Sequence, residues 1–184
     1  YNYHKQMVSS GNAWSTSDGQ QMLWDAERTP VTMIAYAPYM SEAAPDASLA
    51  VNALTNQTTE ENVKSSDFLL MKATVDPEQD LTADGKLKIS LSHAMSKLLI
   101  KITVNGTTDA AMNKLGDMSI NGAVVNGICD LSATVPIVVP APDAVVATVA
   151  PYKGTESCEC ILPPQKIAEG FSVNFSYDGK LYIW

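Results

Sequence analysis

The chain has 184 residues, enough for one ordinary domain with a real core, and its 46% hydrophobic and 17% charged content lies in the globular range. Twenty acidic against twelve basic side chains leave a formal charge of -8, and Arg28 is the only arginine. That balance repels a polyanion and supplies no bidentate guanidinium cluster, so nucleic acid is not expected as a partner.

The chain begins at Tyr1 without a charged-then-apolar leader, and any signal peptide is expected to have been removed. Val31, Met33 and Ala35 alternate with Thr32 and Ile34, the period of a half-buried strand, up to Tyr36-Ala37-Pro38-Tyr39, where proline ends regular pairing. Residues 41–66 are polar, rich in Ala, Asn and Thr, and read as a long surface excursion. Within it, Ser48 to Leu54 carries a modest helical signal. Phe68 to Val75 predicts the next strand.

Asp76, Glu78, Asp80 and Asp84 superficially have the spacing of a calcium loop. Leu81 and Leu87 stand where such a loop needs glycine and glutamate, so a solvated loop without metal is expected.

Leu87, Ile89 and Leu91 then alternate with Lys88, Ser90 and Ser92, whereas Leu98, Ile100, Ile102 and Val104 alternate with Leu99, Lys101 and Thr103. The inward parity flips from odd to even between Met95 and Leu98. A regular strand cannot change the face it buries, so a kinked or interrupted strand is predicted around His93, Ala94, Met95 and Ser96.

Short strands fit Met118 to Ile120, Val124 to Leu131, Val145 to Val149 and Cys158 to Leu162, with a short helical stretch near Ala110 to Leu115. The most apolar region, Val135 to Val149, is broken by Pro136, Pro140, Pro142 and Asp143, and nowhere does the chain reach the roughly 18 to 20 apolar residues of a membrane helix. Val173, Phe175 and Tyr177 lead into Asp178-Gly179, a two-residue hairpin turn that sets Phe175 opposite Tyr182 and Val173 opposite Trp184. Strands and turns in this distribution make an all-β sandwich.

The chain carries no nucleophile elbow, phosphate loop, dinucleotide fingerprint or zinc helix. A serine or cysteine nucleophile needs a base, and the only histidines available are His4 and His93; His93 lies on the buried parity of its strand, where a packed core histidine is expected. The three cysteines allow at most one disulfide. Cys158 and Cys160 would project to one face of a strand, lack C-x-x-C spacing, and read as structural. No catalytic, cofactor-binding or metal-ligating residue is assigned, and the chain is read as a non-enzyme. Trp14, Trp24 and Trp184, with seven tyrosines, could stack on sugar rings, although Trp24 and Trp184 fit core or hairpin positions better. A surface glycan-binding β-sandwich is therefore the alternative function.

An ordered series of segments resembles the fimbrillin family of Bacteroidales, which form or anchor surface pili. Tyr36-Ala37-Pro38-Tyr39 after Trp24, Asp67-Phe68-Leu69-Leu70, His93-Ala94-Met95-Ser96-Lys97-Leu98, Pro163-Pro164-Gln165 and Gly179-Lys180-Leu181-Tyr182 carry it. The resemblance implies a transthyretin-like (Greek-key, immunoglobulin-like) β-sandwich. It also implies a structural subunit of a cell-surface fimbria, in stalk, tip or anchor, that supports adhesion and pairs with other fimbrial subunits by β-strand donation.

It further implies an outer-membrane lipoprotein or extracellular fimbria, held by a lipidated cysteine upstream of this chain, with no transmembrane helix. Residues 1–184 would be a single sandwich domain, the N-terminal domain of a longer two-domain precursor. Two departures stand out: no lipidation cysteine precedes Trp24, and the chain stops at Trp184 inside a predicted strand. In the family a protease removes an N-terminal strand before assembly. Arg28 is the one arginine a trypsin-like protease could use, but its closeness to the first core strand favours an ordinary surface arginine.

Overall fold

The computed structural model describes residues 4–11, 13–40, 48–106 and 108–184. In chain order these form β1 (Met7–Ser10), β2 (Ala13–Thr16), β3 (Val31–Ala37), β4 (Ser48–Asn52), helix α1 (Glu60–Ser65) and β5 (Leu69–Val75). There follow β6 (Ser92–His93), β7 (Ser96–Ile100), β8 (Thr103–Val104), β9 (Thr108–Asp109) and a 3-10 turn at Met112–Lys114. The rest is β10 (Leu115–Val124), β11 (Asn126–Asp130), β12 (Val138–Pro140), β13 (Val146–Val149), β14 (Tyr152–Lys153), β15 (Cys158–Leu162), β16 (Ser172–Tyr177) and β17 (Lys180–Ile183).

One layer is organised by β10 and β11, a long strand interrupted at Val125. β12 and β13 pair antiparallel along it, β12 with β11 and β13 with β10. β4 pairs β11 and β16 pairs β10, and β17 completes the order β13-β10-β16-β17. A bulge interrupts the β10–β13 register between Ile120 and Ala123. Gly122 sits in it at φ 75°, with Gly170 O only 3.0 Å from where a Cβ would stand, so glycine alone fits there. The other layer contains β3-β5-β6 and β14-β15-β7. Phe68, Leu70, Met95, Cys158, Cys160 and Leu162 from that side meet Leu49, Val51, Ile120, Ala123, Cys129, Val149 and Val173 in one buried cluster. This is the all-β sandwich that alternation predicts.

The parity flip marks a change of partner. β6 pairs with β5, the chain bends through Ala94 and Met95, and β7 pairs with β15. Met95 is buried at the bend, while Leu98 and Ile100 face the core from the new register. The C-terminal hairpin also forms as read. Asp178 and Gly179 both have positive φ, 50° and 74°, as a type I′ turn requires, and Phe175 stacks on Tyr182 at 5.4 Å between ring centroids. Trp184 pairs through its backbone with Val173, its N–H donating at 3.0 Å and its carbonyl accepting at 2.8 Å.

Three expectations are corrected, in β4, β3 and Leu87 to Leu91. Ser48 to Leu54 is not helical: it contains β4, whose Leu49 and Val51 are buried against the core while its backbone pairs with β11, and that pairing overrides a weak local propensity. The excursion of residues 41–66 is only partly assessable, since 41–47 lie outside the described residues. Beyond them it holds β4 and α1, the helix capped by Thr59 Oγ1, which accepts from Asn62 N at 3.2 Å. In β3 the core face carries Ile34 and Tyr36, not Val31, Met33 and Ala35, because both parities are apolar and the register with β5 decides. Leu87 to Leu91 forms no strand. Only Leu87 finds a partner, in an isolated bridge to Leu81, since alternation without a neighbouring backbone makes no ladder.

Candidate assembly edges and the signature corner

Three of the segments that distinguish this sequence lie side by side. Ala37 pairs with Leu69, and Leu69 pairs with His93, so the Tyr36-Ala37-Pro38-Tyr39, Asp67-Phe68-Leu69-Leu70 and His93-to-Leu98 segments cross β3, β5 and β6 at one level. Phe68 is fully buried with its ring 5.9 Å from that of Tyr36, and its carbonyl accepts from Ala94 N at 2.8 Å. His4 shares a 2.7 Å hydrogen bond with the Tyr36 hydroxyl and stacks on Tyr39, tying the start of the described chain to the same corner.

His93 is not a core histidine. Its side chain is 74% exposed, and its Nδ1–H donates to Asp67 Oδ2 at 2.5 Å. Its cross-strand partner Leu69 lies on the face of β5 opposite the buried Leu70, so His93 clasps the corner from outside.

Two glutamines act as short pieces of strand. The buried Gln57 amide donates to Ile161 O and accepts from Ile161 N, both at 2.8 Å, satisfying β15 beyond the end of β14. Gln165 does the same for Val124, donating to its carbonyl and accepting from its N–H at 2.8 Å. The only sequence signal was the Pro163-Pro164-Gln165 segment, in which Pro163 is fully buried. Lys72, on the core-facing parity of β5, places its ammonium 2.7 Å from the carbonyls of Leu131 and Ala133 and 3.3 Å from that of Ser132, closing the turn after β11.

The cysteines and the acidic loop are held by burial and local hydrogen bonds. Cys129, Cys158 and Cys160 are free and buried, and burial pushes all three thiols up, Cys160 to about 12. In the acidic loop Asp76 accepts from Glu78 N at 2.9 Å, Asp80 accepts from Asp76 N at 2.8 Å, and Asp84 is held well below the carboxylate range, to about 2, by Lys86 and Thr82. Among the described residues no cluster has metal-binding composition. Arg28 donates to Pro77 O at 2.9 Å, which ties the segment before β3 to this loop. Trp24 is half-buried and bonds Thr29 O through Nε1 at 2.9 Å. Trp184, expected in the core or hairpin, holds its hairpin place but is 74% exposed because β17 extends past the packed cluster.

An open groove of about 580 Å³ is lined by Glu60, Asp67, His93, Lys97, Tyr152 and Glu159 among others. Its polar groups are paired internally, Lys97 with Glu159 at 2.6 Å, Lys64 with Glu60 at 3.8 Å and the Tyr152 hydroxyl donating to Glu60 at 3.2 Å, and no serine, threonine or cysteine lines it. Among the described residues no helix is long and apolar enough to cross a membrane.

The sheet edges differ sharply. β12 carries Pro140 and is flanked by Pro136 and Pro142, which deny an incoming strand its donors. Among the described residues β17 pairs only with β16, and it carries no proline or bulge. Because Trp184 and Val173 exchange both backbone bonds, alternation along the ladder turns the N–H and C=O groups of Leu181 and Ile183 outward.

The sequence model of the fimbrillin-like family matches residues 1–184. No curated protein matches the chain. A solved structure of a proposed cell adhesion protein from Bacteroides uniformis ATCC 8492 superposes with TM-score 0.74 at 18% identity, covering 100% of this chain and 71% of that one. A second, from Bacteroides ovatus ATCC 8483, gives TM-score 0.59 at 20% identity, over 96% of this chain and 62% of that one. At such identities the two structures speak for the fold. The family match spans every segment whose packing is described above, and the chain belongs to the fimbrillin-like family.

Proposed function

We propose that this chain is a structural subunit of a cell-surface fimbria that contributes to adhesion. The observation that carries the reading is the fimbrillin-like match over residues 1–184. The solved proteins of the same fold, proposed for cell adhesion, agree with it. Internally paired groove charges and buried thiols with raised pKa fit a non-catalytic role.

Assembly would proceed by β-strand addition between subunits, main-chain hydrogen bonds supplying affinity and alternate side chains supplying register. Residues 1–184 would serve as the N-terminal sandwich of a longer precursor exported to the outer membrane or into the extracellular fibre, with lipidation upstream. The test is to express the precursor on cells and to treat purified precursor with a trypsin-like protease. Labelled fibres and concentration-dependent oligomers are expected; protein that stays monomeric on cells without fibres overturns the reading.

A surface glycan-binding role has one observation in its favour: Trp14 on the β1–β2 hairpin is 67% exposed. Glycan-array binding abolished by Trp14→Ala would establish that role.

A further inference from the structure

We propose that the free edge of β17 is a self-pairing surface, which joins two copies of this chain across a two-fold axis through Tyr182. The inference does not rest on strand donation between fimbrial subunits: it uses an edge already ordered within the sandwich and needs no strand to be removed.

The argument starts from the ladder. With the backbone groups of Leu181 and Ile183 directed outward, an arriving strand must place its own pairing residues opposite these two. A second β17 does so in one antiparallel register: Leu181 faces Ile183 of the second copy, Ile183 faces its Leu181, and Tyr182 faces Tyr182. Each Leu181–Ile183 pair exchanges N–H and C=O bonds, and the Tyr182 pair is the closely spaced, non-hydrogen-bonded one, with Cα atoms about 4.5 Å apart.

The same register matches the side chains on both faces. Leu181 and Ile183 share the outer face, 75% and 70% exposed, and each would cover the other's apolar surface across the new ladder. Lys180, Tyr182 and Trp184 share the opposite face. Lys180 has no ion-pair partner among the described residues, and the register sets its ammonium against the exposed Trp184 indole of the second copy, a cation–π arrangement. No like charges meet. The proline-guarded β12 edge shows how this fold blocks such pairing elsewhere, and β17 lacks the device. Two four-stranded sheets would join into one continuous sheet. With few residues per strand the interface is small, so a reversible dimer is expected, populated between about 10 µM and 1 mM.

Sedimentation velocity of the 184-residue chain over that range should show mass rising with concentration, and Leu181→Lys should weaken self-association at least tenfold. Leu181→Pro should do likewise, because the lost N–H serves no bond to β16 and edge strands accept proline. Tyr182→Cys tests the register: mild diamide oxidation should trap a disulfide-linked dimer, with the native thiols silent because they are buried. Leu181→Cys alone should not cross-link, whereas Leu181→Cys with Ile183→Cys should. A chain that stays monomeric throughout, or cross-linking equal at Tyr182→Cys and Leu181→Cys, would overturn the proposal and leave the fimbrial reading untouched.

Discussion

Gln57 and Ile161 are joined as two strands would be, the glutamine amide donating to the carbonyl and accepting from the N–H of the same residue, each at 2.8 Å. A side chain 104 positions away thus finishes the hydrogen bonding of β15 where β14 has ended. Gln57→Leu keeps volume but strands the two Ile161 backbone groups and removes the donor to Leu54 O, and should cost about 2–6 kcal/mol, from the ~1–3 kcal/mol penalty of each of the two buried groups. Urea unfolding with a lowered midpoint and unchanged slope would confirm it. Gln57→Glu should be no better, since an ionised carboxylate cannot donate to Ile161 O.

Removing the Lys72 ammonium leaves three carbonyls of the 131–133 turn without their shared donor. Lys72→Met, which keeps the aliphatic stem, should lower stability by about 1–3 kcal/mol. Faster amide hydrogen exchange should appear in β11 and the following turn before the rest of the sandwich.

The His93–Asp67 clasp is half in solvent, so its worth is modest. His93→Ala should cost about 0.5–1.5 kcal/mol. Asp67→Ala combined with it should fall short of the summed single losses, because both remove the same bond. Additive losses in the double-mutant cycle would show that the pair contributes nothing beyond proximity.

The cysteines carry the pH prediction. Burial raises their thiols in the folded chain, Cys160 from the ordinary 9.0 to about 12, so the folded state holds protons that the unfolded state releases. The stability contribution is complete below pH 9.0 and is lost as pH rises through that window towards about 12. Below it stability should be indifferent to these groups. Native protein at pH 8 should resist a thiol reagent, and denatured protein should titrate all three thiols.

Gly179 occupies φ 74° in the β16–β17 turn, where a side chain is strained. Gly179→Ala should lower stability by about 1 kcal/mol and loosen the Phe175–Tyr182 stack, visible in near-ultraviolet circular dichroism.

Local chemistry determined a good deal by itself. The C-terminal hairpin was legible because Asp178-Gly179 dictates a turn whose length sets the register, so the Phe175–Tyr182 and Val173–Trp184 pairs follow. The bend at Ala94 and Met95 was legible because a period of two cannot reverse its parity without a break. Tertiary structure alone decided where that break leads: β6 and β7 serve different partner strands, and only the packed sandwich brings β5 to one and β15 to the other. It also decided which face of β3 is buried, since both parities there are apolar and pairing with β5 chooses. His93 escaped the core because its register with β5 sets it opposite Leu69, on the outer face. The partners of Gln57, Gln165 and Lys72 were not legible because they are backbone groups 104, 41 and 59 to 61 residues distant, and a polar side chain states in sequence only that it needs a partner, never which one the fold will supply.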